Sequence, residues 1–507
     1  MGGRFLRALF LLPPGHCRSG SKADFLGEAE GLVDVLIIGG GIAGCSLLYE
    51  LSRYQVDALL IEKENDLSVG TTKANSAIVH AGYDPEPGTR MAKYNVEGNA
   101  YIKELCQKLD VPYRQAGSLV LALADDQLET LRKLHDRGVQ NGVPGLRILT
   151  GEEARELEPA LSPEVRGALL APSAGIVSPW GLALALAETA VRNGARVRRD
   201  TEALAIRREN GRFVVETNRD TIEARFVVNA AGVLCDRVHD MACPHRYTVE
   251  PSRGEYYLLD KSQGTLVNHV IFQCPSKVGK GVLVSPTVDG NLIVGPNAEP
   301  SSCDNTATTA TGLDFVRAAA AQSVPGVGFR DSIRNFSGVR AVTGEEDFIL
   351  GESEDVPGFF EFAGMKSPGL TSAPAIARDM VGWLGEAGLA LAPRAEFIDT
   401  RRVLRMKKLL PGERAEAIRQ DPRYGRIICR CETITEGEIV AALHSPIPPV
   451  SLDGVKRRCG AGMGRCQGGF CGPRVQQIIA RELGTPQSEV MLDRAGSRII
   501  TGDMNAR

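Results

Sequence analysis

Apolar and polar positions fall into a sharp pattern near the start of the chain. Residues 32–38 are an apolar run rich in β-branched side chains, and the run stops at Gly39, Gly40 and Gly41. An amphipathic stretch follows from Cys45 to Tyr54, and a second apolar run, residues 58–61, ends at Glu62. The periodicities predict strand, tight turn, helix, strand and then an acid. Two later apolar runs also end in small residues, at 227–232 and 359–364. After the second, residues 365–371 read as a glycine-flanked turn and a helix start.

Each glycine of the first turn has a physical reason. Gly39 permits the tight turn, Gly41 lets the backbone approach a pyrophosphate, and Gly44 lets the helix pack close to the strand. The helix start offers N–H groups and a positive dipole end to phosphates. Glu62 lies 23 positions after Gly39, where a carboxylate accepts hydrogen bonds from ribose hydroxyls and repels a 2′-phosphate. NADP is therefore disfavoured. Residues 71–82 are rich in small and hydroxyl side chains, Thr71, Thr72 and Ser76 among them, which suit close wrapping of a pyrophosphate and a flavin. A single cofactor touched by three distant segments, around 39–82, at Gly232 and at 364–371, suits FAD.

Composition narrows the class. The chain has 507 residues, 43% hydrophobic and 24% charged, with a formal net charge of −3. That length suggests about three domains, and the charge balance excludes a nucleic-acid binder. No apolar run reaches the ~20 residues that span a bilayer, so no transmembrane segment is expected. Residues 1–31 hold three arginines and no acid before Asp24. They read as a disordered extension or an early start, with a targeting signal as the alternative.

Cysteine placement adds a second centre. Seven of the twelve cysteines lie singly, and five fall between Cys429 and Cys471. A disulfide scaffold would be small and evenly cysteine-rich, so the cluster points to metal in a reducing compartment. Cys429 and Cys431 form one pair and Cys466 and Cys471 another, with a gap of 34 residues between the pairs. Four thiolates suit a [2Fe-2S] cluster or zinc, and the C-x-C spacing argues mildly against zinc. The surrounding glycines let loops wrap a bulky cluster and aim N–H groups at its sulfides. Cys459 is a fifth cysteine, read as a bystander, with exchange into the second pair left open.

Taken in order, the glycine turn with Glu62, residues 76–82, Arg253-Gly254-Glu255-Tyr256, Gly338-Val339-Arg340 and residues 364–371 resemble one FAD-dependent family. It includes D-amino-acid oxidase, glycerol-3-phosphate dehydrogenase and L-2-hydroxyglutarate dehydrogenase. Residues 465–471 resemble the bacterioferritin-associated-ferredoxin-like [2Fe-2S] domain often appended to such dehydrogenases. The resemblance implies a combined α/β and α+β fold. A Rossmann-type FAD-binding domain (32–90, 171–248 and 335–393) is interleaved with a mixed-sheet substrate domain (91–170 and 249–334). A charged, proline-punctuated linker (394–425), a small helical [2Fe-2S] domain (426–485) and a tail (486–507) follow. The basic clusters of the linker read as solvated faces.

The same resemblance implies the site. Gly39, Gly41, Gly44, Glu62, Thr71, Thr72, Ser76, Gly232, Gly364, Lys366, Gly369, Leu370 and Thr371 would bind FAD. Lys366 would place a cation near flavin N1, although a solvated lysine fits the sequence nearly as well. Arg340 would grip a substrate carboxylate or phosphate, unless it sits in a structural ion pair. His80 would take the hydroxyl proton as hydride leaves for the flavin, against the alternative of a structural histidine. Arg253 reads as scaffold near the pocket, and the other histidines as surface or packing residues.

The two centres explain one another. Flavin takes an electron pair, and the cluster passes electrons singly, which favours a dehydrogenase with a protein acceptor over an oxidase. The expected substrate is a small anionic 2-hydroxy compound, with glycerol 3-phosphate ahead of L-2-hydroxyglutarate. Amine or amino-acid oxidation, and an electron-transfer or redox-sensing subunit with a vestigial pocket, are the alternatives. The acceptor would be a second flavoprotein or an iron–sulfur subunit. The expected location is cytoplasmic, with peripheral attachment to the inner membrane face left open.

Overall fold

The computed structural model describes residues 31–275 and 281–502. The leading extension, with His16 and Cys17, falls almost wholly outside them. The strand Val33–Ile38 is the centre of the first sheet and is buried because neighbours flank it on both edges. Ala58–Ile61 pairs with it in parallel on one side and Thr221–Asn229 on the other. Thr221–Asn229 is long enough to take two neighbours on its outer edge. Its first half pairs antiparallel with Arg212–Thr217, and its second half pairs parallel with Phe359–Ala363. Three helices, Ile42–Leu51, Pro179–Arg192 and Gly369–Glu386, cover one face around Leu47, Leu48, Leu184, Ile376 and Met380. This is a Rossmann-type nucleotide-binding layer.

The first helix begins at Ile42, three residues before the amphipathic pattern suggested, because Gly41 serves as its N-cap. The helix Arg90–Lys108 also belongs to this layer. Gly98 lets it press against Gly369–Glu386, since a Cβ there would lie 2.0 Å from the Thr371 carbonyl oxygen. The second sheet therefore begins at Ser118–Ala122 rather than at 91.

That second sheet is mixed. Ser118–Ala122 runs parallel to Val270–Gln273, while Gly167–Ala171 and Leu283–Pro286 pair antiparallel. Val249–Leu259 pairs antiparallel along its whole length with Ser332–Thr343. The strand that carries Arg340 is thus part of the second sheet, which extends to Thr343, past the expected boundary at 334. The chain enters each layer more than once, so the two are interleaved.

The C-terminal module packs Glu436–Leu443, Leu452–Cys459 and Gly472–Leu483 around Ile439, Val455 and Ile479. Thr435 and Glu438 close a capping box at the start of its first helix. The tail contributes through Met491, which bridges to Ser451 and folds back on Arg498. The basic linker is not simply solvated: Arg401 pairs with Glu188 at 2.8 Å and Arg405 with Asp110 at 2.8 Å. Among the described residues no helix is long and apolar enough to cross a membrane.

Candidate active site and cysteine centre

A cavity of about 2550 Å³ opens at the C-terminal end of Val33–Ile38, where an open α/β sheet presents its ligand crevice. Gly39 has φ +116°, and a Cβ there would lie 2.4 Å from the Ala230 carbonyl oxygen. At Gly44 a Cβ would lie 2.0 Å from the Gly39 carbonyl oxygen and 3.2 Å from Ile37, so the helix rests directly on the strand. Gly41 faces the cavity, with room for a Cβ only at 3.3 Å from the Thr72 hydroxyl. That hydroxyl accepts a hydrogen bond from the Ile42 N–H at 3.0 Å. Glu62 accepts from the Gly40 N–H at 2.7 Å and the Glu64 N–H at 2.9 Å. Burial raises its carboxyl to about 6, against the pull of those two amides.

Thr71, Ser76, Gly232, Lys366, Gly369 and Leu370 also line the cavity. Gly364 and Thr371 do not; they act behind the wall. Thr371 is fully buried, and its hydroxyl accepts from the His80 backbone N–H at 3.0 Å. The Lys366 ammonium donates to the Glu345 carbonyl at 2.6 Å. The donor set and the glycine-shaped wall fit a dinucleotide whose ribose lies at Glu62 and whose far end reaches His80.

The motifs around Arg340 explain one another through the strand register. Gly254 lies opposite Gly338 and Ser252 opposite Arg340. A Cβ on Gly254 would lie 2.4 Å from Arg340 Nη2, so this glycine makes room for the guanidinium. A Cβ on Gly338 would lie 1.8 Å from the Ala74 carbonyl oxygen, so that glycine lets the 71–76 loop press onto the strand. The Thr71 hydroxyl then donates to the Val339 carbonyl at 2.6 Å. Arg340 reaches the Ser252 hydroxyl at 3.4 Å and the Asn297 carbonyl at 3.3 Å. Among the described residues no carboxylate pairs with it, and its contacts are to a hydroxyl and a carbonyl. Arg253 behaves as scaffold: it is buried and pairs with Glu255 at 3.1 Å.

His80 lines the same cavity, and its ring stacks on Phe272 with centroids 5.9 Å apart. Its Nε2 lies 3.5 Å from the Ser367 hydroxyl. Tyr256 stacks on Phe336 at 4.9 Å and meets the Ser76 hydroxyl at 3.1 Å. Sequence reasoning quoted Tyr256 without giving it a role, and missed Phe272, Phe336 and Asn297. The alternation of their strands could have pointed to the two phenylalanines; Asn297, in a loop, carries no such signal.

The cysteine centre faces the other end of the cavity, through Cys459, Gly460, Met463 and Gln467. Cys431 and Cys466 lie with their sulfurs 3.7 Å apart, and the Cys429 and Cys471 thiols are near enough to perturb each other. The Cys471 contact, with N–H groups of Gly462 and Glu432, draws Cys429 down to about 6 despite burial. Phe470 and Gly468 direct backbone N–H groups at the Cys466 sulfur. Two thiol pairs with amides aimed at them suit a thiolate-held iron–sulfur centre by their donor chemistry, while among the described residues no three of them are gathered closely enough to hold one metal ion. Cys459 differs: its thiol donates to the Val455 carbonyl within its own helix at 3.3 Å, and burial pushes it up to about 12.

Buried ion pairs fix this module to the rest. Asp66, fully buried in the first layer, is met by Arg457 Nη2 and Arg458 Nη1, each at 2.9 Å. Burial alone would raise its carboxyl, but Arg458 and Arg457 hold it far below the usual carboxylate range. Asp493 joins Arg457 at 3.0 Å to Lys73 at 2.7 Å. Glu432, beside Cys431, takes Lys261 of the second sheet at 2.7 Å and Lys407 of the linker at 3.4 Å.

Fold and site together define an oxidoreductase that binds a dinucleotide in its first layer and carries a separate thiolate-rich module. The family described as FAD dependent oxidoreductase matches residues 34–383, and the BFD-like [2Fe-2S] binding domain matches residues 427–481. The chain belongs to the FAD-dependent oxidoreductase family, with FAD and a [2Fe-2S] cluster as its cofactors. It is 48% identical over 474 residues to a glycerol 3-phosphate dehydrogenase of Caloramator mitchellensis, covering 93% of this chain and 98% of that one. It is 32% identical to a glycerol 3-phosphate oxidase of Mycoplasma genitalium, over 69% of this chain and 94% of the relative. The structure of the reduced L-alpha-glycerophosphate oxidase of Mycoplasma pneumoniae with FAD bound aligns with a TM-score of 0.70 and 31% identity. That alignment covers 74% of this chain and all of the other.

Proposed function

We propose that this protein oxidises glycerol 3-phosphate to dihydroxyacetone phosphate and releases the electrons through its cysteine module to a protein acceptor. The observation that carries this reading is the near full-length likeness to a glycerol 3-phosphate dehydrogenase, which spans both modules. The likeness to the oxidase uses nearly all of the oxidase's length and only 69% of this chain, so the oxidase has no comparable length for a second module. A relay would be superfluous where electrons pass directly to oxygen.

Bound FAD supplies a hydride acceptor, and the cluster supplies a one-electron relay from it. Arg340, which pairs with no carboxylate among the described residues, holds the substrate phosphate with its planar fork of donors. Ser252 and Asn297 fix the guanidinium in place. His80 accepts the proton of the secondary hydroxyl as the C2 hydrogen leaves with its electron pair. The Thr371 hydroxyl and the Phe272 ring hold the histidine where it can do so. Glu62 takes the ribose hydroxyls, and the start of Ile42–Leu51 takes the pyrophosphate. Cys429, Cys431, Cys466 and Cys471 hold the cluster, with Cys459 outside the ligand set.

Anaerobic addition of glycerol 3-phosphate should bleach the flavin's visible band and then reduce the cluster, read by electron paramagnetic resonance. Bleaching by L-2-hydroxyglutarate and not by glycerol 3-phosphate would overturn the substrate assignment. Iron and acid-labile sulfide should be found in the purified protein, and zinc in their place would overturn the relay.

A further inference from the structure

Phe470 lies in the loop between two of the cysteines and exposes 86% of its surface, more than any other large apolar side chain among the described residues. Among the described residues no other ring and no cation packs on it. Beside it Cys431 is exposed, as are Arg430, Arg465 and Arg474. None of these three arginines makes an ion pair among the described residues; Arg465 lies only within electrostatic reach of Asp331, which is held by Ser262 and Gln263. The acids of this segment are turned inward. Glu432, Glu436 and Glu438 are buried, with Glu432 taken by two lysines and Glu436 by Arg426 and Arg481. Glu438 is bound to the cap of its own helix. Around the cysteine loops, then, the three neighbouring carboxylates are inside and three guanidinium groups outside, about an unburied aromatic ring and an exposed cysteine.

We propose that this face is the docking surface for the electron acceptor, a protein whose redox centre lies in a shallow apolar recess ringed by carboxylates. Phe470 fills the recess, as aromatic anchors do at the centre of an interface. Arg430, Arg465 and Arg474 form the rim that steers and orients the partner. Small transient interfaces of this kind suit electron transfer, where fast encounter and release matter more than affinity. The inference rests on the reading that electrons leave through the cysteine module.

The test uses the holoenzyme and two small haem proteins of similar potential, one acidic and one basic around the haem edge. Binding is measured by fluorescence anisotropy of the labelled haem protein, and reduction is followed separately. The acidic protein should bind at least about tenfold more tightly than the basic one at low salt, and the difference should shrink steeply as salt rises. R430E/R465E should reverse the preference, while R430K/R465K should keep it. F470S should weaken binding of the acidic protein about tenfold, and F470L should restore most of it. Equal binding of the two haem proteins, or an unchanged preference in R430E/R465E, would overturn the proposal. A changed reduction rate with unchanged binding would also overturn it, because the arginines would then act on the cluster and not on a partner. Glycerol 3-phosphate with a small dye is the separate control: failure of dye reduction would count against the proposed function, and success with failed docking against this surface alone.

Discussion

At the dinucleotide end, shape comes from packed backbone. Gly39 and Gly44 leave no room for a Cβ, and the loop between them lies against a sheet buried on both faces. At the cysteine end, a small apolar core of three short helices backs loops whose thiols are held by one another and by loop amides. A large layer of this kind keeps its form without a ligand, whereas a module this small draws much of its stability from a bound centre. The two cofactors should therefore be lost with different consequences. FAD should leave an intact cradle, and iron should leave a loosened module.

The sharpest way to break this contrast is to remove a thiol. Cys466→Ser should abolish the cluster's absorbance and lower amide protection across residues 426–485, while FAD content and flavin reduction by substrate stay intact. Retention of iron in that variant would give its place to another cysteine, and Cys459→Ser, expected to leave iron content unchanged, identifies it. Next in size is the clamp between the modules. Asp66→Asn takes from Arg457 and Arg458 the carboxylate they share and leaves them Asp493 at 3.0 Å and Glu188 at 3.7 Å, a loss of about 3 kcal/mol. Flavin reduction should persist while cluster reduction slows and protease cuts the linker. Because the folded state depresses the Asp66 carboxyl, its contribution is complete above about pH 4 and is lost as pH falls further toward the folded value. Acid should thus undock the module in wild type and have less left to undo in D66N, as linker cleavage across a pH series would show.

Smaller effects probe the cradle. Gly44→Ala must push a methyl against the Gly39 carbonyl, at a cost of about 1–3 kcal/mol, and should appear as FAD lost during dialysis. Arg340→Lys keeps the charge and loses the fork, so kcat/KM for glycerol 3-phosphate should fall about tenfold, or ~1.4 kcal/mol, mostly through KM. An equal fall with a neutral substrate would remove Arg340 from phosphate binding.

Local chemistry was readable from the chain. The turn at Gly39, the strand end at Glu62 and the two cysteine pairs carry their meaning in spacing of a few residues, where backbone geometry is fixed by neighbours. The strand of Arg340 was readable as a motif, but its place in the second sheet was not, since that depends on pairing with residues some 90 positions earlier. The clamp is further still from view: Asp66 and Arg458 lie 392 residues apart, and nothing near either announces the other. The basic linker misled for the same reason, because Arg401 and Arg405 look solvated until the folded layer brings Glu188 and Asp110 to them.

The contact between Glu62 and the Gly40 amide gives one carboxylate two duties. One oxygen cinches the glycine loop across the strand–helix–strand unit, and the other is held by the Glu64 amide at the strand's end. Exchange of this acid slackens the loop before any nucleotide arrives. Weaker cofactor retention in such a variant therefore measures lost preorganisation together with a lost ribose acceptor, and even an amide replacement, which keeps an oxygen for Gly40, turns an NH2 toward the Glu64 N–H and frees the strand's end.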